Sequence, residues 1–346
     1  MTTRKRRHEA PSAIGAGLVA LDLVLSADDW VAPHWYAGGT CANVMTILSF
    51  LGWDTFPISR LIDDSAAQYL RRDLSRWGVH DDFLSVDAGT DTPIIIQQVS
   101  RKKGRTTHSF SWRCPDCGRY LPSFRAPTMR AIEAKGDRLA GHSVYFFDRA
   151  TPGTVLLAEK CAQAGTLVFF EPNGSTSDRL LRRALSAAHV VKYSGARIGK
   201  LPRSGGVLLE IKTLGSRGLS FRRGGSTTWT RLPVVEAPQL KDTCGAGDWC
   251  SAGILQSLGA NSLRRLASMN DETLTDAIRF GQALAAWNCG FEGARGAMYH
   301  VESPAQAVRI ASELLAGKAR LLTKQAKVAR NDPEQIRGCT SCFAPS

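Results

Sequence analysis

Apolar runs and amphipathic segments alternate along this chain of 346 residues. The apolar runs are short, rich in β-branched and aromatic residues, and mostly continuous rather than alternating with polar positions. Continuous runs are typical of strands in a parallel sheet that is covered on both faces. The predicted strands lie at residues 14–21, 94–99, 144–147, 167–170, 190–193 and 207–211.

Helical periodicity fills much of the remaining sequence. The predicted helices lie at residues 40–51, 65–77, 128–140, 152–164 and 176–187. Strands that alternate with helices predict a three-layer α/β fold with a mainly parallel central sheet. Ligands of such folds bind at the carboxyl ends of the strands.

The stretch from residue 92 to residue 118 departs from this alternation. Two β-rich runs flank a basic turn around Gly104, which predicts a hairpin with a polar tip. From the pattern alone, the hairpin is either an edge of the main sheet or a separate small unit.

Composition agrees with a folded domain of ordinary make-up. Hydrophobic residues account for 43% and charged residues for 22% of the chain, which is ordinary for a globular protein. A length of 346 residues suffices for one large domain or two smaller ones. No apolar run approaches the length of a membrane span. Residues 1–11 are interpreted as a basic disordered arm, and because no signal-peptide apolar stretch follows them, we expect a cytoplasmic protein.

The formal net charge is +13, from 44 lysines and arginines against 31 acidic residues. Basic clusters occur at residues 4–7 and 101–105. Such a surface could bind nucleic acid or steer anionic nucleotides towards a site. No nucleic-acid-binding motif accompanies the charge, which favours a solvated or ligand-steering surface.

The most specific motif is Asp-Thr-Cys-Gly-Ala-Gly-Asp at residues 242–248, followed by a helical segment. Glycines before a helix let the backbone approach a ligand closely, and the first helical turn attracts anions. Asp248 beside such an anion site could accept a proton from a nucleophile, or could simply cap the helix.

Three further features occur in order with this motif. Gly38-Gly39 precedes a helix that carries Asn43, Asp22 lies upstream of them, and Thr-Leu-Gly-Ser-Arg-Gly occupies residues 213–218. Together the motifs resemble those of the ribokinase-like (PfkB) carbohydrate kinase family. The resemblance covers roughly residues 12–320.

This resemblance implies a ribokinase-like kinase domain over residues 12–325, with a small β lid around residues 92–118. It further implies ATP-dependent phosphorylation of a hydroxyl on a sugar or a sugar-containing small molecule such as a nucleoside. Asp248 would act as the base, and the backbone of Gly245, Ala246 and Gly247 would form the anion hole. In the family, lid hairpins often pair between subunits, so a homodimer through the lid is one expectation.

The same resemblance assigns two sets of binding residues. The acceptor site would contain Asp22, Gly38, Gly39 and Asn43. The nucleotide site would contain Thr213, Gly215, Gly218 and Asn288. The competing interpretations are a loop cap for Asp22, a helix N-cap for Asn43 and a core helix around Asn288.

Arg197 departs from the family pattern. An acidic residue that helps to organise Mg²⁺ is expected near this position, whereas Arg197 would repel the ion and could contact a phosphate directly. ATP is therefore the expected cofactor, and the arrangement of Mg²⁺ is in doubt. Arg197 also motivates an alternative: a catalytically weak relative that acts as a sugar- or nucleotide-binding sensor or partner protein.

Nine cysteines include two Cys-x-x-Cys pairs, Cys114 with Cys117 and Cys339 with Cys342, the second in a C-terminal tail over residues 326–346. If the pairs meet in space, they could form a structural Cys₄ zinc site. Separate redox pairs and reduced thiols are the alternatives.

Overall fold

The computed structural model describes residues 10–26, 29–87, 89–102, 105–114, 117–174 and 176–318. A nine-stranded sheet forms the centre of this part of the chain. Its strands are β1 (Ser12–Ala16), β4 (Asp54–Leu61), β5 (Leu84–Val86), β8 (Val144–Phe147), β9 (Leu167–Phe170), β10 (Val190–Ser194), β11 (Leu209–Thr213), β12 (Leu219–Arg223) and β13 (Thr230–Leu232).

The strand order is β13-β12-β11-β10-β9-β8-β1-β4-β5. From β11 to β5 every neighbouring pair is parallel, and only β12 and β13 join antiparallel at one edge. The carboxyl ends of the seven parallel strands therefore share one edge of the sheet.

Helices cover both faces of the sheet. They are α1 (Thr40–Phe50), α2 (Ser65–Arg76), α3 (Met129–Lys135), α4 (Pro152–Gln163), α5 (Asp178–Ala187), α6 (Ala246–Leu258), α7 (Ser262–Ser268), α8 (Asp271–Asn288) and α9 (Pro304–Leu315). Buried apolar side chains of α1, α2, α6, α8 and α9 form one core cluster, and those of α3, α4 and α5 form the second on the opposite face. The predicted three-layer arrangement is confirmed.

A second, four-stranded sheet lies beside the first, in the order β3-β2-β6-β7. Its strands are β2 (Ala20–Ser26), β3 (Asp29–Gly38), β6 (Ile94–Lys102) and β7 (Arg105–Ser111). The predicted hairpin forms β6 and β7, which pair antiparallel. It is not an edge of the main sheet, because β6 pairs in parallel with β2 instead.

The prediction of a single strand over residues 14–21 was wrong. The run divides into β1 of the large sheet and β2 of the small sheet, with Gly17 at the break. Because both strands are buried, hydrophobicity does not change where the chain passes from one sheet to the other. The helix predicted at 128–140 is also shorter, since α3 ends at Lys135 and a 3₁₀ turn follows over Gly136–Leu139.

Within the described residues, no helix combines the length and the apolar character needed to cross a lipid bilayer. Residues 1–9 of the predicted basic arm and the predicted C-terminal tail lie outside those residues.

Candidate active site

The Asp242–Asp248 segment forms a tight loop that opens helix α6 at the carboxyl edge of the large sheet. Gly245 is the residue before the helix, with φ of 72°, a left-handed conformation that favours glycine. A β-carbon on Gly245 would also lie 2.2 Å from the carbonyl oxygen of Ala294. The positive φ and the close contact both favour glycine at position 245, where the loop enters α6.

The first turn of α6 presents backbone N–H groups that the helix itself leaves without acceptors. Ala246 and Gly247 line a cavity of about 750 Å³, which we call the large cavity. The N–H of Ala246 also donates to the carbonyl of Thr243 at 3.3 Å, so it is partly engaged within the loop. An anion in the large cavity would meet these groups and the positive end of the helix dipole.

Asp248 does not cap α6, because the helix begins after Gly245 and the Asp248 side chain points elsewhere. Its Oδ2 accepts a hydrogen bond of 2.8 Å from Nδ2 of Asn43, 205 residues away in sequence. Burial and, next, the nearby charge of Glu171 raise the pKa of Asp248 to about 8, although the Asn43 hydrogen bond and Lys192 lower it. A carboxyl with this pKa exchanges its proton near neutral pH, as a general base must.

An ion pair lies beneath the start of α6. Lys192, in the middle of β10, donates to Glu171 at 2.5 Å, and the Ser251 hydroxyl donates to the other Glu171 oxygen at 2.7 Å. A β-carbon on Gly247 would lie 3.6 Å from Glu171 and 3.7 Å from Lys192, so the pair packs against the helix start. Burial is the largest single effect on the pKa of Lys192 and lowers it, but the charge and hydrogen bond of Glu171, together with Cys250 and Asp248, raise the pKa above its usual value.

A second cavity lies under the small sheet, and we call it the small-sheet cavity. Asp22 of β2 and Asn43 of α1 line it, together with Gln97 of β6 and Arg295 of the loop after α8. Asp22 is buried, and this burial raises its pKa to about 7 although Arg295 and the Gly39 N–H lower it. The competing interpretation of Asn43 as an N-cap fails, because Gly39 is the N-cap residue of α1.

The two glycines predicted at this site have separate structural reasons. A β-carbon on Gly38 would lie 1.9 Å from Oδ2 of Asp22, so glycine makes room for the carboxylate. Gly39 has φ of 83°, and a β-carbon there would lie 2.5 Å from the carbonyl oxygen of Leu18. The di-glycine segment thus fixes the entry into α1 and the space around Asp22.

Gln97 connects the small sheet to the loop before α6. Its side-chain amide donates to Asp242 at 3.3 Å, and its carbonyl oxygen accepts from the Cys244 thiol at 3.3 Å. Asp242 also accepts the backbone N–H groups of Cys244 and Gly293. Sequence reasoning missed Gln97, because a glutamine in a β-rich run gives no sign of its partner.

Thr213, Gly215 and Gly218 all line the large cavity, as the sequence motif predicts. Small residues of α8 line it from the other side: Ala285, Ala286 and Cys289. The competing interpretation of this segment as a core helix holds for the buried Trp287, whereas Ala285 is buried and also lines the cavity.

Asn288 and Arg197 are not among the residues that line the large cavity, and their assignment to the nucleotide site stays a prediction. Asn288 is fully buried, and its amide nitrogen donates to the carbonyls of Cys244 and Ala294, each at 3.2 Å. It therefore fastens the loop before α6 to the loop after α8. Arg197 lies in an exposed turn after β10, and its N–H donates to the Ser194 carbonyl at 3.1 Å.

Only two of the four cysteines of the predicted zinc site lie within the described residues. Cys114 is buried and Cys117 is exposed, whereas Cys339 and Cys342 lie outside the described residues. No group of three or more His, Cys, Asp and Glu side chains in the described ranges is arranged to hold a metal ion. The four-cysteine site stays a prediction.

Known proteins with similar sequences and structures are sugar and riboside kinases. The fructokinase of Klebsiella pneumoniae is 27% identical over 250 residues, which covers 65% of this chain and 78% of that relative. A solved aminoimidazole riboside kinase from Salmonella enterica, complexed with aminoimidazole riboside and an ATP analog, superposes with a TM-score of 0.60. It is 20% identical, over 85% of this chain and 98% of that structure.

The fructokinase of Vibrio cholerae O395, in a form with fructose, ADP and calcium ion bound, superposes with a TM-score of 0.62. It is 19% identical, over 84% of this chain and 96% of that structure. The predicted ribokinase-like fold is therefore confirmed.

A family model for the pfkB family of carbohydrate kinases matches residues 31–300, more than half of the chain. The matched range contains the di-glycine segment, the loop before α6 and the lining of the large cavity, and it contains the lining of the small-sheet cavity except Asp22 and Val24. This chain therefore belongs to the pfkB family of carbohydrate kinases, which are phosphotransferases with an alcohol group as acceptor.

Proposed function

We propose that this protein transfers the γ-phosphoryl group of ATP to a hydroxyl of a sugar or of a sugar-containing small molecule such as a nucleoside. One observation carries the proposal: Asp248 stands between the two cavities. It hydrogen-bonds Asn43, which lines the small-sheet cavity, and it lies in the helical turn whose N–H groups border the large cavity. Fructose, aminoimidazole riboside, ADP and an ATP analog are bound by the similar kinases.

In this proposal the acceptor occupies the small-sheet cavity and the nucleotide occupies the large cavity. Asp22 and Asn43 orient the acceptor so that one hydroxyl points to Asp248. A sugar hydroxyl is too weak an acid to ionise beforehand, so Asp248 removes its proton while the oxygen attacks phosphorus. The N–H groups of Gly245, Ala246 and Gly247 stabilise charge on the transferring oxygens, with the partial engagement of Ala246 reducing its share.

The residues at this edge fit a magnesium ion that is held mainly by phosphate oxygens and water. Asp148 follows β8 and pairs with Arg149 at 2.7 Å, and Glu171 pairs with Lys192 at 2.5 Å. Both carboxylates are thus committed to a cation, and Glu171, packed against Gly247, would be the one to meet the ion through water. When bound, Mg²⁺ supplies charge neutralisation of the phosphate oxygens.

Lys192 gives the site a fixed positive charge at the same place. It is buried beneath the α6 turn, so its field acts on the phosphoryl group through a region of low dielectric.

A sensor or partner protein without strong catalysis is the second candidate, and the exposed Arg197 is its only support. The complete pairing of Asp248 with Asn43 argues against it. The homodimer through the small sheet, the role of that sheet as a lid, the domain limits and a cytoplasmic location stay predictions.

The test is ATP turnover by the purified full chain with D-fructose, D-ribose, aminoimidazole riboside and inosine as acceptors. We expect at least one acceptor to stimulate turnover, and Asp248→Asn to lower kcat about 10³-fold, because general-base catalysis contributes roughly 10²–10⁴-fold. Binding of the acceptor should persist in this variant, since Asn keeps the shape of the side chain.

The control is Asp271→Asn, at an exposed carboxylate on the surface of α8, which should retain wild-type turnover. If no acceptor stimulates ATP turnover, or if Asp248→Asn turns over as the wild type does, the kinase proposal is wrong and the sensor interpretation gains support.

A further inference from the structure

Arg295 is a buried cation beside the proposed acceptor site. It lies in the loop between α8 and the 3₁₀ turn Gly296–His300, and only 3% of its surface is exposed. Burial of a guanidinium is costly unless a carboxylate and hydrogen-bond acceptors accompany it. Its Nη2 pairs with Asp73 of α2 at 2.6 Å and also donates to the carbonyl of Ala37.

Asp73 in turn accepts the N–H of Ala37 at 2.8 Å. The Arg295–Asp73 pair therefore holds both the N–H and the carbonyl of the residue that precedes Gly38-Gly39. This arrangement uses Nη2 alone. The second terminal nitrogen, Nη1, has no hydrogen-bond partner among the described residues, although it is buried.

Further buried atoms of residues that line the same cavity share this condition. Among them are Oδ1 of Asp22 and Oδ1 of Asn43, which have no hydrogen-bond partner within the described part of the chain. Asp22, Asn43 and Arg295 all line the small-sheet cavity. Leaving a buried polar atom without a partner is unfavourable, so the three atoms on Asp22, Asn43 and Arg295 indicate groups that a ligand satisfies.

The three atoms define a complementary ligand. The oxygens of Asp22 and Asn43 accept hydrogen bonds, as hydroxyl donors on neighbouring carbons would supply them. Nη1 of Arg295 donates, and so requires an oxygen with a free lone pair: a hydroxyl, a ring oxygen or a carbonyl.

Charge selects among such ligands. Arg295 is one cation, and the carboxylates of Asp73 and Asp22 both act on it electrostatically. The local charge is thus already balanced or negative, and a carboxylate or phosphate on the ligand would add repulsion without a free counter-charge.

We propose that Arg295 is a specificity-determining residue, which binds one oxygen of a neutral, polyhydroxylated acceptor through Nη1 and disfavours acidic acceptors. This inference rests on the proposed kinase function. It adds a contact that is supplied from the loop after α8.

The test is a cycle that removes the two members of the contact separately. Arg295→Lys retains a positive charge to pair with Asp73 but lacks the second terminal nitrogen. Wild type and variant are assayed with D-fructose and its monodeoxy analogues, or with inosine and its 2′- and 3′-deoxy forms if ribosides are the better acceptors. We expect one deoxy analogue to lose about 10-fold or more in kcat/KM with the wild type and less than about 3-fold with Arg295→Lys.

A purely structural role for Arg295 would weaken all acceptors equally and leave the deoxy penalty the same in both proteins, and that result would overturn the proposal. Arg60→Lys is the matched control, because Arg60 pairs with Asp87 at 2.7 Å and lines neither cavity. Its deoxy penalties should equal those of the wild type. If the wild type shows no acceptor-stimulated ATP turnover, that result would instead count against the kinase proposal.

A second measurement needs no variant. Calorimetric titration of the wild type with D-glucitol and with D-gluconate compares a neutral and an acidic polyol of the same length. We expect gluconate to bind at least about 10-fold more weakly. Equal or tighter binding of gluconate would overturn the charge argument even if Arg295→Lys did not fold.

Discussion

The small-sheet cavity and the large cavity, each lined by a neighbour of Asp248, are built from different kinds of residue. The small-sheet cavity contains Asp22, Asn43 and Arg295, whose buried polar atoms await partners. The large cavity, at about 750 Å³, is lined mostly by glycine, alanine and other short or apolar residues. One cavity can select a ligand by directed hydrogen bonds, whereas the other selects mainly by shape and by the backbone of the α6 turn.

This difference predicts where each kind of substitution acts. Changes in the small-sheet cavity should alter affinity for the acceptor and spare the nucleotide. Changes in the wall of the large cavity should do the reverse.

Asp22→Asn should raise KM for the acceptor roughly 50-fold, because a hydrogen bond to a charged group contributes about 1.5–3 kcal/mol. KM for ATP should stay within about twofold of the wild type. Steady-state kinetics with each substrate varied separately would measure both. Asp81→Asn, at an exposed ion pair with Arg71, serves as the control. Equal changes in the two KM values would mean that the cavities are not separate.

Ala286→Leu should raise KM for ATP roughly 10-fold, because the larger side chain enters the wall of the large cavity from α8. Acceptor KM should not change by more than about twofold. Ser257→Leu on α6 is the control, because Ser257 lies outside both cavity walls. Ala283→Leu is unsuitable, because Ala283 is fully buried. An increase confined to acceptor KM would contradict the assignment of the large cavity to the nucleotide.

Asp248→Asn should stabilise the fold, and more so at higher pH. Burial raises the pKa of Asp248 in the folded state to about 8 from a usual value of 3.8. The folded state then holds a proton that the unfolded state has lost, so this group lowers stability progressively as pH rises from about 4 to about 8. Between pH 6 and pH 8 the difference between variant and wild type should grow by up to about 2.7 kcal/mol.

Thermal unfolding of both proteins at pH 6 and at pH 8 measures that difference, which corresponds to a few degrees for a chain of this size. The same pKa predicts that kcat/KM rises with pH as Asp248 loses its proton. If the variant is less stable than the wild type at pH 8, burial does not destabilise the ionised form of Asp248 in the folded protein.

Much of this arrangement follows from the sequence because it is local. The Gly245 turn, the start of α6, the di-glycine segment and Thr213 are all read from short motifs. Glycine at positive φ and N–H groups at a helix start need no distant partner to be recognised.

The rest depends on contacts between distant segments. Asp22 was expected in a loop but lies within β2, because one apolar run serves two sheets. The role of Asn288 in fastening two loops could not be predicted, since an asparagine at a helix end gives no sign of its acceptors. The sequence does not indicate a role for Arg295, because its hydrogen-bond partners lie 222 and 258 residues away.

The close approach of Gly38 to Asp22 has a consequence for how this sequence can change over time. A β-carbon at position 38 would lie 1.9 Å from a carboxylate oxygen of Asp22, so every other amino acid at this position collides with it. Position 38 therefore stays glycine for as long as position 22 stays aspartate. A lineage that alters its acceptor through position 22 gains, by the same step, freedom at position 38, so the two sites should vary as a pair.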